Sequence, residues 1–343
     1  MQENRPTTQE WKRLYQAMIE IKKMAPWGYF EESDLFVVED PETNEVGFVS
    51  IMGAYGDHYG ISLYIGEKGL WGYLDLTDTG VEEFDRQLFF ETPQLQASIE
   101  NREELHDTDR ELIKELGLSF RGKKAWPLFR SFRPGYFPWY LTDTEARFLT
   151  HALEQLIEIA PHFEKDPEYF NTGKKDALFM RKATLKGKKL SWKNSYYEIK
   201  LPEGVSLRSN VDVNIMQHVQ DMPSNGKTLE IDFFITTAPI QEQIERPFFP
   251  YAVIMLDHEK DIIVGHDMLA PVPDLETMWG QLPASILTKI SEMQQKPGKI
   301  LVCSDLLHQV LQAACLHTNI QLEFVPELPH MEMVRQSFLN FMQ

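Results

Sequence analysis

The stretch "PYAVIMLDHEKDIIVGHD", residues 250 to 267, reads as an apolar strand, a tight charged turn and a second apolar strand. Asp257 closes the first strand, either as a carboxylate displayed at a strand end or as a turn residue, because Asp favours turns by bonding nearby backbone. Upstream, "TLEIDFFIT" (228–236) is a further strand candidate. Downstream come a helix from Asp274 to Met293, strand "KILVCS", a helix from Asp305 to His317, strand "IQLEFV" and a helix beginning at Pro329. Asp274 and Ser304 suit N-caps, and Pro329 suits a first helical turn. The order is β-β-β-α-β-α-β-α, and right-handed crossovers make the later strands a parallel extension of the initial meander.

The first half has a different rhythm. Thr7 and Glu10 have capping-box spacing, and Trp11, Leu14, Tyr15, Met18 and Ile21 share one helical face, which predicts a helix over 7–24. Strand-like runs follow, "DLFVVED", "EVGFVSIMG" and "YGISLYIG", with "PETN" turning between the first two. Residues 107–116 form a short helix stopped by Gly117, and Thr142 with Glu145 caps a longer one to about Ala160. Between them, Pro127, Pro134 and Pro138 forbid a regular helix in "FRGKKAWPLFRSFRPGYFPWYL". The glycines of "GAYGDHYGISLYIGEKGLWGY" are read as strand turns. The expected organisation is an α+β domain over 1–162, a basic hairpin with connecting segment over 163–226, and an α/β domain over 227–343.

A chain of 343 residues is long enough for two cores of roughly 150 residues each. Its hydrophobic content of 43% and charged content of 25% are those of a globular protein. No run approaches the ~18 apolar residues of a membrane span, and "MQENRPTTQEWKRLY" lacks the apolar core of a signal peptide. A cytoplasmic location without membrane association is therefore expected. Cys303 and Cys315 sit in apolar settings without CxxC spacing, as small buried hydrophobes. The net charge of −18 opposes nucleic acid and anionic lipid, and leaves a protein partner open.

Over about residues 227 to 342 the element order resembles the ribonuclease H-like fold. That fold binds two divalent ions between strand and helix carboxylates, where they activate water and stabilise the leaving oxygen. The resemblance implies Asp232, Glu276 and Asp305 as catalytic candidates, with Asp257 one strand away, and magnesium or manganese as the only cofactor; without that activity none is expected. Each acid also has a local explanation: Asp232 alternates with apolar residues as on the solvated side of an edge strand, while Glu276 and Asp305 open helices. His266 is excluded as a metal partner of His258, since the hairpin register holds them roughly 17 Å apart. "NGKT" at 225–228 lacks the first glycine and the helix of a phosphate loop.

Two basic aromatic segments are candidate ligand surfaces. Arg121, Arg130 and Arg133 are interleaved with Trp139 and other aromatics, which together can hold an anionic or flat ligand, or can strap the first core. The segment 174–200 holds nine Lys or Arg against two acids, with Lys186, Lys188 and Lys189 flanking the turn and Trp192 beyond it. "APWGYF", "LGLSFRGKKAWPLFRSFRPGYFPWYLTDTEA" and "RPFFPYAVIMLD" resemble a bacterial family of two-domain proteins of unknown function, a resemblance that implies an architecture and supplies no activity. The sequence thus favours a non-catalytic binding or interaction protein. A metal-dependent nuclease-like activity is the alternative, and nucleic-acid or anion binding by the basic segments the third reading.

Overall fold

The computed structural model describes residues 4–78, 85–186, 189–201, 211–241 and 246–341, with the backbone alone at 78, 185, 186, 189 and 341. By its contacts the chain divides into two units, Met1–Arg133 with Pro138–Glu203, and Pro134–Phe137 with Gly204–Gln343.

The first unit runs α1 (Thr8–Met24), β1 (Phe36–Glu39), β2 (Val46–Met52), β3 (Tyr59–Ile65), α2 (Gly66–Asp78), α3 (Arg86–Glu91), β4 (Gln94–Glu100), α4 (Asp107–Glu115), β5 (Trp126–Phe132), α5 (Asp143–Lys165), β6 (Ala177–Lys186) and β7 (Lys189–Glu198). The strands form one sheet in the order β5-β4-β3-β2-β1-β6-β7, antiparallel except where β1 meets β6. Both capping boxes expected from sequence are present, at Thr7 with Glu10 and at Thr142 with Glu145. The faces they present, Leu14, Met18 and Ile21 from α1 and Leu149, Leu153 and Leu156 from α5, pack with Val49, Ile61, Leu63 and Ala97 into one core. α4 stops where Gly117 takes a φ of +72°, the left-handed turn that glycine adopts without strain.

Several elements depart from the sequence reading. Residues 66–78 are a helix, and its glycines serve packing: a Cβ on Gly72 would come within 2.3 Å of Thr92 Oγ1. The proline-rich aromatic stretch contains strand β5, where Pro127 is tolerated because β5 is the sheet edge. It is therefore no continuous strap over the first core, and Pro134–Phe137 belongs to the second unit, where Phe137 N donates to Pro247 O at 2.9 Å. α5 continues through Pro161 to Lys165. The basic hairpin expected in a connecting segment is built into the first sheet, with Val37 opposite Met180 in parallel register.

The second unit runs α6 (Val213–Asp221), β8 (Thr228–Ile235), β9 (Tyr251–Asp257), β10 (Ile262–Leu269), α7 (Leu275–Ser291), β11 (Lys299–Val302), α8 (Asp305–Thr318), β12 (Gln321–Phe324) and α9 (Pro329–Phe341). Its sheet has the order β10-β9-β8-β11-β12, with β8, β9 and β10 antiparallel and β11 parallel to both β8 and β12. β8 is thus central, and the solvated edge expected for it is corrected: Glu230 and Asp232 are buried beneath α9. Strand alternation separates the two faces. Phe234, Ala252, Ile254 and Leu256 pack with Leu328 and Met331 on the α9 side, while Met255 meets Gly265 on the α7 side. Lys296 is buried and donates to Gln220 O at 2.6 Å and Thr318 O at 2.8 Å, a cation set on the carbonyl ends of α6 and α8.

Candidate functional site

The acids singled out in the second unit do not meet. Asp232 projects from the centre of β8, and its Oδ2 accepts from Arg335 Nη2 of α9 at 2.9 Å while Oδ1 accepts from Phe233 N. Burial pushes its carboxyl up, and Arg335 opposes that rise. Asp257 ends β9 in an ion pair with Lys227 Nζ at 2.7 Å, a bond that holds its carboxyl below the usual range. It also accepts from Lys260 N at 3.2 Å, so it does open the turn. Glu276 lies in the first turn of α7, on the sheet face opposite Asp232. Asp305 is exposed in the first turn of α8 behind the Ser304 cap, where the helix dipole favours an acid. Among the described residues no group of three or more His, Cys, Asp or Glu is arranged to hold a metal ion.

Other residues gather where the sequence offered no signal. Glu230, 1% exposed on β8, places Oε1 2.6 Å from His258 Nδ1. Asp261 in the β9–β10 turn places Oδ1 2.5 Å from His330 Nδ1 in the first turn of α9, an ion-pair contact. The two imidazole centroids are 6.3 Å apart. His266 sits opposite Ile254 in the ladder, away from this group. His330 comes from the far end of the sequence, and only the packing of α9 delivers it.

In the first unit an acid faces an acid. Glu100, at the end of β4, lies within hydrogen-bonding reach of Glu104, and burial followed by this neighbour pushes its carboxyl up to about 7. Glu104 moves down, stabilised by the bond to Glu100 and by Asn101 Nδ2 at 2.8 Å. His58 Nδ1 is 3.7 Å from Glu100 Oε1. Such a pair holds one shared proton close to neutral pH.

The basic aromatic candidates are engaged by their own unit. Arg130 forms a two-pronged pair with Asp109, at 2.9 and 2.6 Å, and lies 5.0 Å from the Tyr140 ring centroid. Trp139 exchanges backbone bonds with Ser131 and packs on Tyr140. Arg121 is exposed, and Arg133 is half-buried. In the hairpin, Lys174, Arg181 and Lys182 pair with Glu198, Glu158 and Glu39. Trp192 packs against the first core, 5.8 Å from the His151 ring. Lys188 lies outside the described residues, as do the side chains of Lys186 and Lys189. No described helix is long and apolar enough to cross a membrane.

The class that the two sheets define is a two-domain α/β protein. Comparison with protein families identifies both parts: residues 11–181 match the domain of unknown function DUF7309, and residues 215–339 match the domain of unknown function DUF6930. Among curated proteins none matches the chain.

Proposed function

We propose that this protein is a non-catalytic binding or interaction protein, and that its second unit is a ribonuclease H-like scaffold whose metal position has been given over to an ion pair. The strand order β10-β9-β8-β11-β12, with helices α7, α8 and α9 after its last three strands, supports the fold assignment. The observation that carries the functional reading is Arg335 seated on Asp232 at 2.9 Å, a fixed cation on the acid that would otherwise bind the ion. A surface for a protein partner is available at β10. This sheet-edge strand leaves Ile262, Ile263, Val264 and Met268 exposed, beside a bulge between Ile263 and Gly265. An extended segment of a partner would add to such an edge through main-chain bonds.

The test is calorimetric titration with magnesium and manganese, together with hydrolysis assays on single-stranded DNA and RNA. No heat with magnesium and no cleavage with either metal are expected, in the wild type or in Asp232→Asn. Cleavage that requires either metal and disappears in Asp232→Asn would establish the enzyme reading instead.

A further inference from the structure

The carboxylate–histidine contacts at the β9–β10 turn play no part in that reading. Glu230 is buried on the central strand, and its Oε1 lies 2.6 Å from His258 Nδ1, so the imidazole proton is held on Nδ1 and the Nε2 lone pair is left as the donor atom. Metal-binding histidines are oriented in this way, with a carboxylate behind the ring and the second nitrogen presented to the ion. Asp261 lies 2.5 Å from His330 Nδ1 as an ion-pair neighbour, without the hydrogen bond that joins Glu230 to His258. The side chains of His258 and His330 are 45% and 41% exposed, so an ion in solution has access to both rings.

The spacing is compatible with one ion. A metal–nitrogen bond of about 2.0 Å puts a ring centroid about 3.2 Å from the ion, so two rings on one ion have centroids at most about 6.4 Å apart. The observed separation is 6.3 Å with the planes at 31°. Tetrahedral ligation would bring the centroids to roughly 5.2 Å, a closure of about 1 Å that two half-exposed side chains can make by small torsional changes. The surroundings favour a cation: Glu230, Asp257, Glu259 and Asp261 stand against Lys227 and Lys260, and Lys227 is already paired with Asp257.

The geometry points to a divalent transition-metal site in which His258 and His330 supply two nitrogen ligands, Glu230 orients His258, Asp261 adds negative charge beside His330, and water completes the coordination. Imidazole donors select the zinc, nickel and copper class over magnesium and calcium, which take oxygen ligands. The ion would join the first turn of α9 to the β9–β10 turn and so fasten the helix that covers Phe234, Ile254 and Leu256. Binding only the folded chain, it would raise the unfolding temperature. This site uses none of the atoms of the Asp232–Arg335 pair, so either inference can fail without the other.

The full chain is titrated with nickel chloride by calorimetry and unfolded thermally with and without the salt. One ion per chain and a higher unfolding temperature are expected, with magnesium producing neither. His258→Ala and His330→Ala should each weaken binding at least tenfold, Glu230→Gln by about 10- to 100-fold as the carboxylate that orients His258, and His266→Ala not at all. Glutamine at 258 and 330, which keeps side-chain volume, carries the same test if an alanine variant does not fold. A wild type without nickel binding, or undiminished binding after loss of either His258 or His330, overturns the site.

Discussion

Asp232 and Glu100 are both acids withdrawn from water on sheet strands, and their neighbours have opposite sign. Asp232 meets the guanidinium of Arg335, which offsets the cost of burying its charge. Glu100 meets Glu104, so the carboxyl pair retains a proton that either acid alone in water would have lost by pH 7. Burial raises both carboxyls, and the partner decides whether the charged form survives. A strand acid is therefore informative only once the side chain opposite it is known.

The largest expected effect comes from breaking the first of these pairs. Arg335→Met leaves Asp232 buried without its cation and should cost about 3 kcal/mol in urea unfolding, the lower end for a buried pair because Arg335 is partly exposed. Adding Asp232→Asn should recover most of that loss. An Arg335→Met protein of unchanged stability would mean that the pair is not what makes the acid tolerable.

Trp192→Ala tests whether the basic hairpin is a packed part of the first sheet. The indole packs on the core beside His151 while remaining partly exposed, so the expected cost is about 2 kcal/mol, less than for a fully buried Trp. A loss of single-stranded nucleic-acid binding with no change in stability would favour a ligand-bearing hairpin.

Glu100→Gln sharpens the comparison from the other side. Because the folded carboxyl is raised from 4.5 to about 7, its contribution to stability is fully present below about pH 4.5 and is lost as the pH rises through about 7. The glutamine variant should match the wild type at pH 4 and exceed it at pH 8. The gain should be about 1 kcal/mol, after discounting for solvent screening and for the opposite shift of Glu104. Equal stabilities at pH 8 would show that the two glutamates do not share a proton.

The smallest effect is expected at Asp305. As an exposed acid in the first turn of α8, it should contribute about 0.3 to 1 kcal/mol through the helix dipole, seen as a slight loss of thermal stability in Asp305→Asn. Loss of manganese binding in that variant would instead give Asp305 the role that the ribonuclease H-like resemblance implies.

Much of the architecture was legible in the chain because its determinants are local. The capping boxes at Thr7 and Thr142, the Gly117 stop and the alternating runs of the second sheet each rest on residues within a few positions of one another. The readings that failed had their reasons outside that range. The helix at Gly66–Asp78 contains glycines that count against a helix locally, two of which are explained by tight packing, Gly69 against Tyr64 and Pro93 and Gly72 against Thr92. Pro127 counts against a strand until β5 is known to be an edge.

The candidate sites follow the same division. Sequence by itself determined that His258 and His266 cannot share an ion, since hairpin register is a short-range property, and it offered the turn role of Asp257 that the bond from Lys260 N bears out. Only the tertiary structure decided that Asp232 is central and paired, that the helix bearing Glu276 lies on the other face of the sheet, and that the His330 ring lies 6.3 Å from that of His258. The turn chemistry acts through backbone torsions of adjacent residues, whereas these contacts depend on which helix covers which face of the sheet, a choice settled by the burial of α9 over Phe234 and Ile254.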